Sequence, residues 1–196
     1  MTTFQLYVGD GAYQAKDIEN LLCIRDSDYA RVCEHGLDDL PVPGIFIVPG
    51  GSIARIRDAL SPHVQAIRSF VEKGGVYVGI CAGAFVAGEK CLGFYPGEAV
   101  SHPGVEFVPV TTTDGRSFEL VCENKPDLRD VSGSILLQDR QSARYAIQFE
   151  YGKGLVCLLS GHPEGSIYHK RDPHTELSAA WFMELLEKYQ AGFRDG

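Results

Sequence analysis

The amino-acid sequence predicts a single α/β domain over residues 1–196, with a mainly parallel sheet that antiparallel hairpin strands extend. Two apolar runs, at residues 44–51 and 76–80, are uninterrupted and adjoin glycine-rich turns, as strands buried on both faces do. A helical pattern separates them, which is typical of a parallel sheet. Alternating segments at residues 106–110 and 117–123 predict a hairpin instead. With 44% hydrophobic residues the chain can bury a sizeable core.

In the first half of the chain, glycine and proline residues mark the boundaries of the predicted strands and helices. Gly9-Asp10-Gly11 closes the first apolar segment, and Gly74-Gly75 ends a helix that Ser61 and Pro62 begin as N-cap and first helical residue. The elements predicted here are a strand at 4–8, a helix at 15–25, a strand at 29–33, a buried strand at 44–51 and a helix from 61 to 73.

The second half begins with the buried strand at residues 76–80 and a helix opening at 82–87. After the hairpin described above, residues 145–150 and 155–160 flank Tyr-Gly-Lys-Gly and predict a second hairpin. The last element is an amphipathic helix at residues 176–190. Its inward side chains are predicted to be Leu177, Trp181, Leu185 and Leu186.

Composition excludes several classes of function. The net charge of −8 argues against nucleic-acid binding through phosphate contacts. No run approaches the ~20 apolar residues of a membrane-spanning helix, and the first residues lack a secretory signal. The six cysteines form no Cys-x-x-Cys pair, which indicates free thiols in a reducing, cytoplasmic compartment.

Cys81 lies at a predicted strand-to-helix junction, between Gly79 and Gly83. This is the cysteine version of a nucleophile elbow, in which small neighbours let strand and helix pack beneath a sharply turned nucleophile. The N–H groups of the following helix stabilise a thiolate there. A buried structural cysteine in a glycine-rich turn would have the same pattern.

Two further motifs supply what a cysteine hydrolase needs. His162 ends the apolar run at residues 155–160, and Glu164 follows two positions later, so the pair can act as base and orienting carboxylate. Gly51 ends the strand at 44–51, and its N–H together with that of Ala82 would form an oxyanion hole. Each motif alone is equally typical of an ordinary turn.

In that chain order, Pro49-Gly50-Gly51, Gly79-Ile80-Cys81-Ala82-Gly83 and His162-Pro163-Glu164 resemble the class I glutamine amidotransferase superfamily. Within it, residues 67–84 resemble the biotin–protein ligase N-terminal domain group. The resemblance implies a flavodoxin-like three-layer sandwich, with Cys81 as nucleophile, His162 as general base and acid, and Glu164 as its orienting group. It implies attack on the carbonyl of a small-molecule amide or peptide-like substrate through a thioester, without a cofactor.

The resemblance has departures. No synthetase domain or biotin ligase catalytic domain fits in 196 residues, so a separate synthetase or ligase is the expected partner, and superfamily members often form homodimers. Ala82 stands where glutaminases usually carry a different residue, which argues against glutamine as substrate. Two other functions therefore stay open: a non-catalytic regulatory or binding domain, and a reactive-thiol sensor built on Cys81.

Other polar residues are candidates for the substrate pocket. Asp10 and Tyr13 follow the first strand and Gly50 the third, so they share the carboxyl edge of the sheet, where such folds bind ligands. His102 is a rival base because a related branch of the superfamily draws its histidine from a similar offset; His162 is favoured since Glu164 accompanies it. No metal site is predicted: His169, Asp172 and His174 lack a further ligand at a diagnostic spacing.

Overall fold

The computed structural model describes residues 4–97, 99–165 and 174–193, with side chains in the last range from residue 176. Its strands form one nine-stranded sheet in the order β2-β1-β3-β4-β9-β8-β7-β5-β6. The first five in that order run parallel, and the remaining pairs are antiparallel. The strands are β1 Phe4–Tyr7, β2 Tyr29–Val32, β3 Ile45–Val48, β4 Val76–Ile80, β5 Ser101–Thr112, β6 Ser117–Pro126, β7 Ser134–Gln138, β8 Arg144–Tyr151 and β9 Gly154–Leu159.

Helices cover both faces of the parallel half, which makes the three-layer sandwich expected from the sequence. They are α1 Ala15–Ile24, α2 Ile53–Leu60, α3 Val64–Glu72, α4 Ala82–Val86 and α5 His174–Gly192, with 3₁₀ turns at Glu34–Asp39 and Ser61–His63. Within the described ranges, none of the helices combines the length and apolarity needed to cross a membrane.

Alternation along the parallel strands divides the core in two. On β3, Ile45 and Ile47 pack in one apolar cluster with α1 and α5, whereas Phe46 and Val48 pack in the other with α2, α3 and α4. Because successive side chains of a strand point to opposite faces, a strand between two helical layers is apolar at nearly every position. The unbroken apolar runs seen in the sequence have this cause.

The antiparallel half of the sheet curls back over the carboxyl ends of the parallel strands. β6 ends the strand order, yet Val121 of β6 forms an antiparallel bridge with His162, just beyond β9. Gly161 makes this approach feasible, since a Cβ at that position would lie 2.6 Å from the carbonyl oxygen of Val121. The segment after β9 is therefore held between the parallel strands and β6.

The helical segment expected from Ser61 is present as the 3₁₀ turn Ser61–His63 and α3, but the N-cap role expected of Ser61 is wrong, and the helix α2 before it was not predicted. The helix α2 begins earlier, after Ser52, whose side chain accepts a hydrogen bond from the Arg55 N–H. Ser61 instead donates its hydroxyl to the carbonyl oxygen of Arg57 at 2.7 Å, so it closes α2 and passes the chain through a 3₁₀ turn into α3. A serine can serve either end of a helix because its hydroxyl both accepts and donates.

The inward position assigned to Leu177 is also wrong, since this side chain is 53% exposed. Trp181, Leu185 and Leu186 are buried as expected. Phe182 is the fully buried centre of the α5 face, and Leu177, five residues earlier, lies about 140° around the helix from it.

Candidate active site

Cys81 occupies the turn between β4 and α4 with a backbone of φ 49° and ψ −104°. Residues other than glycine rarely adopt a positive φ, which costs about 1–3 kcal/mol and persists only where the surroundings enforce it. Here the Cys81 N–H donates to the carbonyl oxygen of Leu159 at 2.9 Å, and its own carbonyl accepts from Ala84 and Phe85. The turn is therefore fixed on both sides.

The glycines on either side of Cys81 are required by close packing. A Cβ on Gly83 would lie 2.1 Å from the carbonyl oxygen of Val48, and a Cβ on Gly79 would lie 2.6 Å from that of Gly83. These distances are far shorter than atoms tolerate, so α4 can pack on β3 and β4 only without side chains there. The Gly-x-Cys-x-Gly spacing in the sequence thus has a steric cause.

His162 and Glu164 form a buried pair at the carboxyl end of β9. Nδ1 of His162 lies 2.8 Å from Oε1 of Glu164, and both side chains are almost wholly inaccessible. The backbone N–H of His162 donates to the carbonyl oxygen of Val121 at 2.7 Å, so β6 anchors the backbone of this residue. Because β9 is the direct neighbour of β4, the pair comes beside Cys81.

The electrostatics of the site favour a charged imidazole. Burial lowers the pKa of His162, but the Glu164 carboxylate and the adjacent Cys81 thiol more than offset burial, and the pKa lies well above its usual value. Cys81 is 8% exposed, and its thiol donates to the carbonyl oxygen of Glu123 on β6 at 3.4 Å. Nε2 of His162 has no hydrogen-bond partner, although the neighbouring Cys81 side chain contributes to the raised pKa of the imidazole.

Three buried polar atoms at this site have no hydrogen-bond partner: Gln14 Oε1, His162 Nε2 and Glu164 Oε2. Among the described residues, no other side chain has a buried polar atom left unpaired. Leaving a buried polar atom unpaired costs roughly 1–3 kcal/mol, so native structures rarely do so without a reason. Gln14 was not predicted from the sequence. Its position in the loop after β1, beside the predicted Asp10 and Tyr13, was the signal that could have found it.

Gly50 and Gly51 bring this loop against the histidine. A Cβ on Gly50 would lie 2.5 Å from Cε1 of His162 and 2.8 Å from Oε1 of Gln14. Gly51 has φ +154°, and a Cβ there would lie 1.9 Å from the carbonyl oxygen of Gly11. Gly51 follows β3 and Ala82 follows β4. Because these two strands are parallel neighbours, both backbones lie at the edge of the sheet that holds Cys81.

Asp10 and Tyr13 lie at the surface of the same loop. Both contact Arg55 of α2: its Nε donates to Asp10 at 3.1 Å and its Nη1 to Tyr13 at 3.4 Å. Half or more of each side chain is exposed, so they form a rim beside Gly51 rather than a wall of the buried site.

His102, the rival base, is placed on β5 and is 45% exposed. Its Nε2 lies 3.1 Å from Oδ2 of Asp127, and its cross-strand partner is Lys125. The structure therefore pairs His102 with a different carboxylate, at a cavity described below.

One group of side chains in the described part of the chain has ligand atoms close enough together to hold a metal ion. Cys33, Glu34 and His35 bring ligand atoms within 4.8 Å of one another. However, Oε1 of Glu34 already accepts hydrogen bonds from the Tyr7 hydroxyl and the Asp10 N–H, each at 2.8 Å. His169, Asp172 and the side chain of His174 lie outside the described residues.

Comparison with known proteins finds one matching family model, related sequences and a shared fold. The family described as "Biotin-protein ligase, N terminal" matches residues 42–119. Phosphoribosylformylglycinamidine synthase subunit PurQ of Gloeobacter violaceus is 35% identical over 88 residues, which cover 40% of this chain and 35% of PurQ. The biotin–protein ligase of Schizosaccharomyces pombe is 26% identical over 189 residues, 72% of this chain and 30% of the ligase. The chain thus spans about a third of the length of both relatives.

A solved structure has the same fold over most of this chain. PurLQS from Thermotoga maritima superposes with a TM-score of 0.64 at 18% identity, covering 93% of this chain and all of that one. The matching sheet and helices agree with the resemblance seen in the motifs. The chain has the fold of PurLQS and of a structure described as a glutamine amidotransferase (TM-score 0.66, 19% identity), and residues 42–119 match the family described as "Biotin-protein ligase, N terminal".

Proposed function

We propose that this protein is a cysteine-dependent amidohydrolase or amidotransferase that attacks an amide carbonyl with Cys81. The observation that supports it most is the buried His162–Glu164 pair, 2.8 Å apart, beside a cysteine in a strained turn. Perturbed, buried titratable groups next to a nucleophile are typical of catalytic sites.

The proposed reaction begins from the ion pair that forms when the Cys81 thiol gives its proton to the Nε2 of His162, whose charged form the Glu164 carboxylate stabilises. The thiolate then forms a bond to the carbonyl carbon, and the N–H groups of Gly51 and Ala82 donate to the oxygen that becomes negative. The carbon–nitrogen bond breaks as the imidazolium returns its proton to the leaving nitrogen. Water or an amine then attacks the thioester carbon while His162 takes its proton, the carbon–sulfur bond breaks, and the imidazolium returns the proton to the Cys81 sulfur.

Glu164 has the role of orienting His162. Its carboxylate fixes the proton of the imidazole on Nδ1, which leaves Nε2 to face the nucleophile. A separate synthetase or ligase would use the product amine or the acyl group, and a homodimer is a further expectation. Free thiols are typical of a reducing compartment, so we expect the protein in the cytoplasm.

A second function is favoured by one specific observation: the Cys81 thiol hydrogen-bonds to the Glu123 carbonyl rather than to His162. A regulatory domain related to the biotin ligase N-terminal region, or a thiol sensor, needs no base for its cysteine. In that function His162 and Glu164 would serve only to hold β6 against β9.

Alkylation by iodoacetamide between pH 5 and 9, mapped by mass spectrometry, separates these functions. The protein supplies its own controls: Cys23 and Cys33 are exposed, whereas burial raises the pKa of both Cys122 and Cys157 to about 12. We expect Cys81 to react faster than Cys23 and Cys33 at pH 6, an advantage that is lost in His162→Ala and retained in His102→Ala. A Cys81 that reacts no faster than Cys23, or equally in both variants, would overturn the proposal.

A further inference from the structure

A cavity of about 370 Å³ opens where the end of β6 meets the start of β8. Tyr145 and Ser160 form its buried floor, and Lys125 lies against the Tyr145 ring, with Nζ 4.9 Å from the ring centre and 2.9 Å from its hydroxyl. Arg129 and Arg144 stand at its sides. Its volume is within the range of small-molecule sites, about 300–1,000 Å³.

The charge of this cavity is opposite to that of the protein. Lys125, Arg129 and Arg144 face a single lining carboxylate, Asp127, whereas the whole chain carries a net charge of −8. Asp127 is bound by Arg129 and His102. Positive charge gathered around a concave surface with a buried floor attracts anions more strongly than scattered surface charge does.

Two of the cations are held in place. Lys125 donates to the Tyr145 hydroxyl and pairs with Glu106 on β5, outside the cavity wall. Burial lowers the pKa of Lys125, but Glu106 and Tyr145 more than offset burial and raise it, so the ammonium stays charged. Arg144 donates through Nη1 to the carbonyl oxygen of Val131 at 2.8 Å, and among the described residues it forms no ion pair. Its guanidinium therefore has donors to offer an incoming anion.

The cavity adjoins the candidate active site through two shared segments. Lys125 follows Glu123, whose carbonyl accepts from the Cys81 thiol, by two residues of β6, about 7 Å along a strand. Ser160 precedes His162 by two residues, and its hydroxyl donates to the carbonyl oxygen of Pro126 at 2.7 Å. An occupant of the cavity would thus touch the same two backbone segments that hold the thiol and the imidazole.

We propose that this cavity binds the anionic group, a carboxylate or a phosphate, of a small ligand. Arg144 and Lys125 supply charge-assisted hydrogen bonds, and the Tyr145 hydroxyl orients the ammonium. The site is independent of whether Cys81 is catalytic, because it needs neither the thiol nor His162.

Calorimetric titration of the full chain with sodium phosphate and, separately, with malonate tests this site and tells phosphate from carboxylate. Malonamide serves as the uncharged counterpart of malonate. We expect at least one anion to bind and malonamide not to bind, with affinity reduced at least tenfold in both Lys125→Met and Arg144→Gln. Arg116→Gln removes an equal charge from an exposed ion pair elsewhere, and it should change the affinity less than twofold.

Two results would overturn the proposal: the absence of binding for both anions, and an equal weakening in Arg116→Gln, which would indicate nonspecific attraction. If Lys125→Met fails to fold, Arg129→Gln replaces it, since Arg129 is an exposed residue at the rim. We expect that variant to weaken anion binding by at least threefold while the Tm remains within 2 °C of the wild type.

Discussion

His162 and Glu164 are bound to each other at 2.8 Å in a part of the protein that solvent does not reach. A buried ion pair is weak evidence for stability as such, but breaking one by removing a single partner is costly, about 3–5 kcal/mol. The pair therefore couples the ionisation of the site to the folding of the domain.

Replacing Glu164 by the isosteric glutamine should make this coupling visible. The pKa of His162 is raised in the folded protein, so the stabilisation is fully present below the unfolded pKa and is lost as the pH rises through the folded value. We expect Glu164→Gln to lower the free energy of unfolding by about 3 kcal/mol at pH 6 and by less at pH 9. Urea unfolding at both pH values measures this, and equal losses would show that the contribution of Glu164 does not depend on the charge of His162.

Backbone strain at Cys81 can be measured without its thiol. Cys81→Gly and Cys81→Ala both remove the sulfur, but only glycine adopts φ 49° readily. We expect the glycine variant to be more stable than the alanine variant by about 1–2 kcal/mol in chemical denaturation. The opposite order would mean that the turn is relaxed in solution.

Gly83 gives a sharp steric prediction. Because a Cβ there would lie 2.1 Å from the carbonyl oxygen of Val48, Gly83→Ala should lower the free energy of unfolding by about 1–3 kcal/mol. Gly192, near the end of α5, has no atom within 4 Å of a Cβ and is the matched control, so Gly192→Ala should be neutral or slightly stabilising. Thermal unfolding of the two variants tests the difference, which similar Tm values would contradict.

We expect the Gln14 side chain to contribute to ligand binding rather than to the stability of the fold. Its Oε1 is buried without a partner, so Gln14→Leu, of similar volume, should keep or raise the free energy of unfolding by about 1 kcal/mol. Gln14→Ala, which leaves a cavity, should be destabilising. A loss above 1 kcal/mol in Gln14→Leu would reveal an ordered partner for this oxygen, and urea unfolding of both variants decides.

Much of the fold could be predicted because its strands and turns have local causes. Apolar runs follow from a sheet covered on two faces, and Gly79 and Gly83 follow from the contact between α4 and β3. Ser61 misled because a hydroxyl serves either end of a helix, and Leu177 because only the sheet decides which side of α5 is inward. Gln14 and the cavity near Lys125 depend on segments far apart in the chain, which no local pattern joins.

The neighbouring positions of β4 and β9 determine when Cys81 and His162 come together during synthesis. About 80 residues separate Cys81 from His162, and the curl of β6 lies between them in the chain. Such distant pairings form late, since the entropy of closing the intervening loop must first be overcome. Under the proposed mechanism, the thiol of a nascent chain therefore has no base until β9 takes its place at the centre of the sheet.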